Sequence, residues 1–506
     1  MSRYIFVQLD ERCLESPSVG KTGLALFFRF QFGVTNMTVL SHAWQAILQS
    51  NMYHVRDAAI NLYGLYLKRQ RFNAAFWSEL DRLQASEWLT LAEKEQAQCK
   101  LLAAMIQHAY EHVPFYRRRF DEYGIHPKQI QSIADLAKIP VLTKDDIRKN
   151  YDTLLATNVS AKSYLVHHTS GTTGTKLRFA ISKQLHWTLK TAHLYRHYAW
   201  AGVNPGDRRV TLGGRAFAAK PPYWIYNRWE NQLLLSIHHL THQTANDYLA
   251  KIKEFAPVFL QGHPSGLARL AEYMCEAGQS YPVKAVFTTG ETLLPDQREQ
   301  IAAAFQCLVF DFYGQGEALF HAGECDRQRG YHGFSELGVI ELQPVPNPGN
   351  LALVIGTSLH NFAMPMLRYQ VGDLAQPVDH VECSCGRGLP LQIAHVVGRV
   401  DDRIYFSLHP QDYILPATIR MYIKPYLQDG QNYQLYQRDF NCFELYLVAD
   451  KRISSEQKGK LRQMLCDVLG SQAHITVEQR ETLLTKGGKM RNIISNIRPT
   501  DSSAAN

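Results

Sequence analysis

The sequence predicts an α/β fold in more than one unit: a large, multi-layered N-terminal domain that opens with a helical extension, then a small α+β C-terminal domain. Three observations predict it. From Leu40 to about Tyr123, apolar and polar residues alternate with a rough 3.6-residue period and Gly and Pro are few, which reads as helix. After about residue 164, short β-rich runs alternate with helical stretches, the pattern of a substantially parallel sheet. Beyond Asp401 the texture becomes that of a small strand–helix–strand unit.

Taken in order, residues 1–130 form the mainly helical region, 131–398 the core, 399–499 the small C-terminal domain and 500–506 a tail expected to be disordered. Leu101–Phe120 predicts a helix that Pro114 ends or kinks. Thr143 is placed to cap a short helix carrying Asp145 and Asp146 in its first turn. The expected strands are Ser163–His168, Arg209–Leu212, Leu233–Ile237, Val258–Gln261, Lys284–Thr288 and Leu308–Phe312. Leu337 to Pro390 reads as strand-rich. The C-terminal unit is expected to hold a strand at Phe443–Val448, a helix at Ser454–Leu469 and a strand near His474–Glu478. Sites in parallel sheets lie beyond the carboxyl ends of the strands, and the motifs at Thr169, Thr288 and Phe312 each follow such a run.

The 506 residues imply two to four packed units at about 150 residues each. Hydrophobic content of 45% and charged content of 20% describe an ordinary soluble globular protein. The net charge of +8 is scattered, without a Lys/Arg block, which argues against a nucleic-acid partner and for a site that takes an anionic ligand. Nine cysteines spread over this length do not form a secreted disulfide framework, and Met1–Arg12 does not read as a signal peptide. The uncharged stretch Gln31–Val55 holds too many Asn, Gln, Ser and His residues for a membrane span and reads as a core or interfacial helix. A cytoplasmic protein without a transmembrane segment is expected; peripheral membrane association through that stretch is a weaker alternative.

The most informative segment is His167–Lys176. After the β-rich run ending at Val166 come Thr169, Ser170, Gly171, Thr172, Thr173 and Gly174, then Thr175 and Lys176. Small hydroxyl residues and glycines let the backbone approach a polyphosphate, whose oxygens accept from amides and hydroxyls while Lys176 adds charge. The Walker A pattern fails because Leu177 follows Lys176, and the G-x-G-x-x-G pattern is absent. His167 and His168, beside this loop, read as shaping a pocket or packing rather than as metal ligands.

The T-S-G-T-T-G-T-K string resembles the phosphate loop of the adenylate-forming superfamily of acyl-CoA synthetases, adenylation domains and luciferases, without the usual Pro before the Lys. Further strings resemble that family's motifs in its order. Thr288–Glu291 resembles the segment along the adenine, which implies nucleotide contacts at Gly290 and Glu291. Phe312–Glu317 resembles Y-G-x-T-E: Tyr313 and Gly314 would lie at the adenine and Glu317 would hold Mg²⁺, while Gly316 replaces the Thr that contacts the α-phosphate. Arg368–Asp373 resembles Y-R-x-G-D, with Asp373 on the ribose. Gly398–Asp402 resembles the hinge motif, with Arg399 at ribose or phosphate and Asp401 as pivot. Lys486–Arg491 resembles the C-terminal loop whose lysine, Lys489 here, bridges carboxylate and α-phosphate. The resemblance implies an adenylation core at 131–398 with a mobile lid at 399–499. It implies ATP and Mg²⁺ as cofactors, and Lys489, Lys176 and Glu317 as the groups that stabilise charge on phosphate oxygens.

Leu293–Arg298, Met364–Tyr369, Cys383–Gly388, Val113–Tyr116 and Ile139–Lys144 resemble the phenylacetate–CoA ligase and CapK-like capsule-biosynthesis branch. That branch implies a carboxylic acid substrate with CoA as acyl acceptor, or an amine acceptor in surface polysaccharide biosynthesis. A degenerate nucleotide-binding scaffold is the rival from another class. Cys325, His332, Cys383 and Cys385 offer a Cys₃His set suited to tetrahedral, structural Zn²⁺. Tyr223, Trp224, Tyr226 and Trp229 are available either to line an aromatic acid pocket or to pack. Oligomeric state, a homodimer included, is left open.

Overall fold

The computed structural model describes residues 53–168, 177–214, 221–345 and 350–400. Beyond these it describes 403–407, 413–414, 419, 422–427, 432–449, 452–480, 483, 485–486, 489–490 and 492–497. The Thr169–Lys176 loop, Asp401, residues 31–52 of the uncharged stretch and the tail lie outside the described residues, as does the Lys489 side chain.

The described part of the helical region is Tyr53–Arg71, Ala74–Ser86, Leu91–His112 and Pro114–Glu122. Each boundary has a local cause. Asn73 and Thr90 cap the second and third helices through their side chains. Pro114 occupies the first turn of the fourth, where its missing N–H costs nothing, and so splits the expected single helix at Val113. Thr143 caps Lys144–Lys149 in a reciprocal arrangement with Asp146.

Twelve strands form the central sheet: β3 (Arg209–Gly213), β4 (Trp224–Asn227), β5 (Gln232–Ser236), β6 (Phe259–Gly262), β7 (Ala285–Thr289), β8 (Val309–Gly314), β9 (His321–Glu324), β10 (Tyr331–Gly333), β11 (Gly338–Pro344), β12 (Ala352–Ser358), β13 (Tyr369–Pro377) and β14 (Leu391–Arg399). Their order is β11-β12-β13-β14-β10-β9-β8-β7-β6-β3-β5-β4. The run β5-β3-β6-β7-β8 is parallel; β4 and the β9–β14 half are antiparallel. The parallel half is covered on both faces. Phe259, Phe287 and Phe310 pack under Ala74–Ser86 and Lys190–Ala199. Their chain neighbours Leu260, Val286 and Val309 pack under helices His242–Phe255, Pro264–Glu276 and Pro295–Phe305. Successive side chains point to opposite faces, so both residues of each pair must be apolar, and these strands read as unbroken hydrophobic runs.

One expectation is corrected here. The strand before the phosphate loop, β1 (Tyr164–His168), is not part of the parallel sheet; it pairs antiparallel with β2 (Arg178–Ser182) in a separate two-stranded hairpin. The loop therefore joins two hairpin strands instead of following a parallel strand.

The C-terminal unit has its own core and a four-stranded sheet ordered β19-β18-β17-β22. Its strands are β17 (Asn432–Asp439), β18 (Cys442–Val448), β19 (His474–Gln479) and β22 (Ile493–Ser495), and helix Ser455–Leu469 crosses between β18 and β19, which are parallel. The unit also holds four short described strands: β15 (Ile404–Tyr405) pairs with β16 (Tyr413–Ile414), and β20 (Thr485–Lys486) pairs with β21 (Lys489–Met490). No described helix is long and apolar enough to cross a membrane.

Candidate active site

The site gathers where the antiparallel half meets the carboxyl end of the parallel half. β8 ends in Tyr313–Gly314, and the Tyr313 hydroxyl donates to Asp373 Oδ2 at 2.8 Å. Asp373 lies on β13, opposite Arg399 of β14, whose Nε sits 3.2 Å from Asp373 Oδ1. In the sheet order β13 is four strands from β8, roughly 19 Å on a flat sheet, well beyond a tyrosine's reach. The antiparallel half must therefore curl back over the end of the parallel half, as a strongly twisted sheet does. That curl brings together residues 60 positions apart in sequence.

Glu317 lies in the turn after β8 and is buried. Burial pushes its carboxyl up, against the opposing pull of its own backbone amide and Arg399, and Asp373 adds to the rise. Among the described residues no basic group holds Glu317 in an ion pair. Lys144 and Lys190 both act on it electrostatically. Lys190 was not singled out from the sequence. Its ammonium is pushed down by burial and supported by Glu317, and no described group hydrogen-bonds it. It follows a π-helical turn, Leu185–Leu189, a local distortion frequent at functional sites. Lys144, in the Ile139–Lys144 string, carries no role in the sequence reading; its Nζ comes within 3.1 Å of where a Cβ on Gly372 would stand, beside Asp373.

The other expected residues are placed as follows. Thr288 ends its run buried in β7, hydrogen-bonded to Asp311, and Gly290 follows with φ 85°. The Glu291 carboxylate accepts from the Ser265 amide at 3.1 Å, at the start of helix Pro264–Glu276. The phosphate loop is outside the described residues, but Phe179, one pair inward from its hairpin root, lies 3.9 Å from a Cβ built on Gly316. The loop thus springs from a hairpin seated against the Tyr313–Glu317 turn. Among the described residues nothing else crowds Gly316, which leaves room there for a side chain. His167 stacks on His186 at 4.6 Å, and burial lowers the pKa of both rings. Of Lys489 only the backbone, in β21, is described.

A cavity of about 550 Å³ opens beside Gly314, Gln315 and His321 and runs over the parallel strands toward helix Tyr53–Arg71. Tyr223, Trp224, Tyr226 and Trp229 do not line it. Tyr223 stacks on His239, Trp224 and Tyr226 pack edge-on against Tyr248 and Phe255, and Trp229 is exposed.

Cys325, His332, Cys383 and Cys385 converge, with all four ligand atoms within 4.8 Å of one another. Cys325 Sγ and Cys383 Sγ are 3.8 Å apart, and Cys385 Sγ and His332 Nε2 are 3.6 Å apart. Ligands at zinc bond lengths of about 2.3 Å to sulfur and 2.0–2.1 Å to nitrogen stand about 3.8 and 3.6 Å apart around a tetrahedron. His332 Nδ1 faces the Leu389 carbonyl at 2.8 Å, which leaves Nε2 with its lone pair toward the thiols. Burial pushes the Cys325 thiol up to about 12, while the His332 and Arg387 contacts outweigh burial and bring Cys385 down to about 6. The donor set fits a structural zinc, and it would tie the β9–β10 hairpin to the loop before β14.

No family model matches the chain. It is 25% identical over 460 residues to Protein CapK of Staphylococcus aureus, covering 88% of this chain and 97% of that protein. It is 26% identical over 346 residues to the phenylacetate–coenzyme A ligase of Thermus thermophilus, covering 64% and 73%. Its fold matches 2-hydroxyisobutyryl-CoA ligase, solved in the postadenylation state in complex with R3-HIB-AMP. The TM-score is 0.60 at 20% identity, over 81% of this chain and 91% of that one. A large α/β sheet domain joined to a separate small sheet domain, with these relatives, defines an adenylate-forming enzyme of the ligase class. Within that superfamily the chain is similar to the branch that holds CapK and the phenylacetate–CoA ligases.

Proposed function

We propose that this enzyme uses ATP to convert a carboxylic acid to an acyl-adenylate and then transfers the acyl group to CoA. The observation that carries this reading is the convergence of Tyr313, Glu317, Asp373 and Arg399 beside a cavity at the carboxyl end of a parallel sheet. The acid's carboxylate oxygen attacks the α-phosphorus, the bond to the β-phosphate breaks, and pyrophosphate leaves. Asp373 holds the ribose hydroxyls, with Arg399 steadying the carboxylate. Lys190 faces the incoming carboxylate from the cavity side. Thr169–Gly174 and Lys176 hold the departing phosphates, and Gly290, Glu291 and Gly314 border the adenine. Lys489 arrives on the lid, which pivots at Asp401, and stabilises charge on the α-phosphate. Mg²⁺ held by Glu317 would supply charge neutralisation on the phosphate oxygens. In the second half-reaction the thiol sulfur attacks the acyl carbonyl, AMP leaves, and the thiol proton passes to solvent. A structural zinc at the Cys₃His cluster is part of the same reading.

An amine acceptor is the second reading, favoured by the CapK match, which spans 88% of the chain against 64% for the phenylacetate–CoA ligase. The test is acid-dependent pyrophosphate release with hydroxylamine to trap the adenylate, repeated with CoA and with amino sugars. Trapped hydroxamate with CoA-stimulated turnover supports the first reading, and amine-stimulated turnover the second. No acid-dependent release from protein that binds MgATP would refute adenylation.

A further inference from the structure

The cavity beside the site indicates which acids fit. Its floor is built by three adjacent parallel strands, which set the polar side chains of Thr211, Gln232 and Gln261 among apolar neighbours such as Leu234 and Phe312. Thr211 on β3 accepts hydrogen bonds from Gln232 Nε2 of β5 at 2.7 Å and from Gln261 Nε2 of β6 at 2.8 Å. The Gln261 amide is oriented by the Tyr198 hydroxyl, which donates to its oxygen. A hydroxyl has two lone pairs and one hydrogen. Both lone pairs of Thr211 are occupied, so its hydrogen is left to donate, and no described group accepts it. The same holds nearby. The Tyr195 hydroxyl accepts from Arg209 Nη1 at 2.8 Å, and its own hydrogen has no acceptor among the described residues. Arg71, on the helix wall, donates to Glu230 through Nη1 at 2.9 and 3.1 Å and stands over the Trp187 ring, and its other N–H groups have no acceptor among the described residues. Thr211, Tyr195 and Arg71 all line the cavity.

Tyr195 is buried, while Thr211 and Arg71 are half-buried in the cavity wall. A donor shielded from bulk solvent and left without an acceptor is costly, and water or a ligand oxygen must satisfy it. An unsubstituted aryl or alkyl chain brings no oxygen to this floor. We propose that the acid activated here carries oxygen beyond its carboxylate, as hydroxyl, keto or second carboxylate groups seated on Thr211, Tyr195 and Arg71. The inference rests on the adenylation reading above and deepens it by naming the substrate class. A site built to hydrogen-bond its substrate discriminates strongly against the analogue that lacks the group.

The test compares matched acids that differ only in oxygen: butyrate against 3-hydroxybutyrate and succinate, and phenylacetate against mandelate. Pyrophosphate release and hydroxamate trapping are the readouts. The expected result is a kcat/KM at least about 10-fold higher for an oxygenated member than for its unsubstituted partner. Thr211→Val and Tyr195→Phe, tested separately, should each bring that ratio toward one by lowering the oxygenated acid alone. Tyr195→Phe serves as the conservative check should the Val variant fold poorly. Equal or better turnover of butyrate and phenylacetate would overturn the inference and leave adenylation standing. Silence with every acid, from protein that binds MgATP, would overturn adenylation and this inference together.

Discussion

Cys325 and His332 of the Cys₃His cluster follow Glu317 closely in sequence, and both sites are suited to a cation, but among the described residues only the cluster has a full donor set. At the cluster four soft donors already stand at tetrahedral separations, and a backbone carbonyl fixes the histidine tautomer. At Glu317 a single buried carboxylate stands without an ion-pair partner among the described residues, its proton affinity raised by burial. A closed donor set holds a metal as part of the fold. A lone hard carboxylate suits a cation whose remaining ligands are substrate phosphates and water. The first donor set suits a structural metal, and the second suits a cation brought in with a substrate.

The largest effect expected to sharpen this contrast is on stability. Cys385→Ser should abolish stoichiometric zinc and lower the melting midpoint by at least about 5 °C, since structural zinc binding is folding free energy. Metal analysis with thermal unfolding checks it; a variant with unchanged midpoint would break the contrast. Glu317→Gln should do the opposite, keeping zinc and midpoint while lowering kcat for pyrophosphate release by about 100-fold, in line with the loss of one charge-stabilising group.

A second buried carboxyl tests the logic without a metal. Asp311, on β8, is pushed up to about 7 by burial and by Glu324, although Thr288 and Tyr331 donate to it. A carboxyl that binds its proton more tightly when folded makes stability fall as pH rises from about 4, its unfolded value, to about 7. Relative to Asp311→Asn, the wild type should lose stability across that window and level off above it; urea unfolding at pH 4.5 and 8 measures it. The smallest effect belongs to Gly316. Because the described residues leave space there, Gly316→Thr should fold and be stabilised by roughly 0.5 kcal/mol through the unfolded chain. It should also raise the adenylation rate by restoring a hydroxyl at the α-phosphate. A loss of stability would show that the glycine is required.

Much of this arrangement was legible in the sequence, for identifiable reasons. β7, β8 and the C-terminal strand–helix–strand stand out because both faces, or one clean face, are apolar. The four zinc-type donors stand out by chemistry alone. The β1–β2 hairpin was misread because a strand before a Gly-rich loop looks the same whether its partner is parallel or returns immediately. β17 was missed although Tyr433 and Leu435 alternate inward, since Gln434 and Gln437, also buried, interrupt the pattern. Lys190 and Thr211 carry no local signal: a lysine opening a helix and a threonine in a strand gain meaning only from what the tertiary fold sets opposite them. The curl that joins Tyr313 to Asp373 likewise has no local trace.

Under the proposed function, residues from β8, β13 and β14 together hold one nucleotide. Calorimetric titration of MgATP into the wild type and into Asp373→Ala tests it most directly. The prediction is one site in the wild type and at least about 10-fold weaker binding in the variant, about 1.4 kcal/mol or more, with zinc content unchanged. Equal affinity in the two proteins would contradict it.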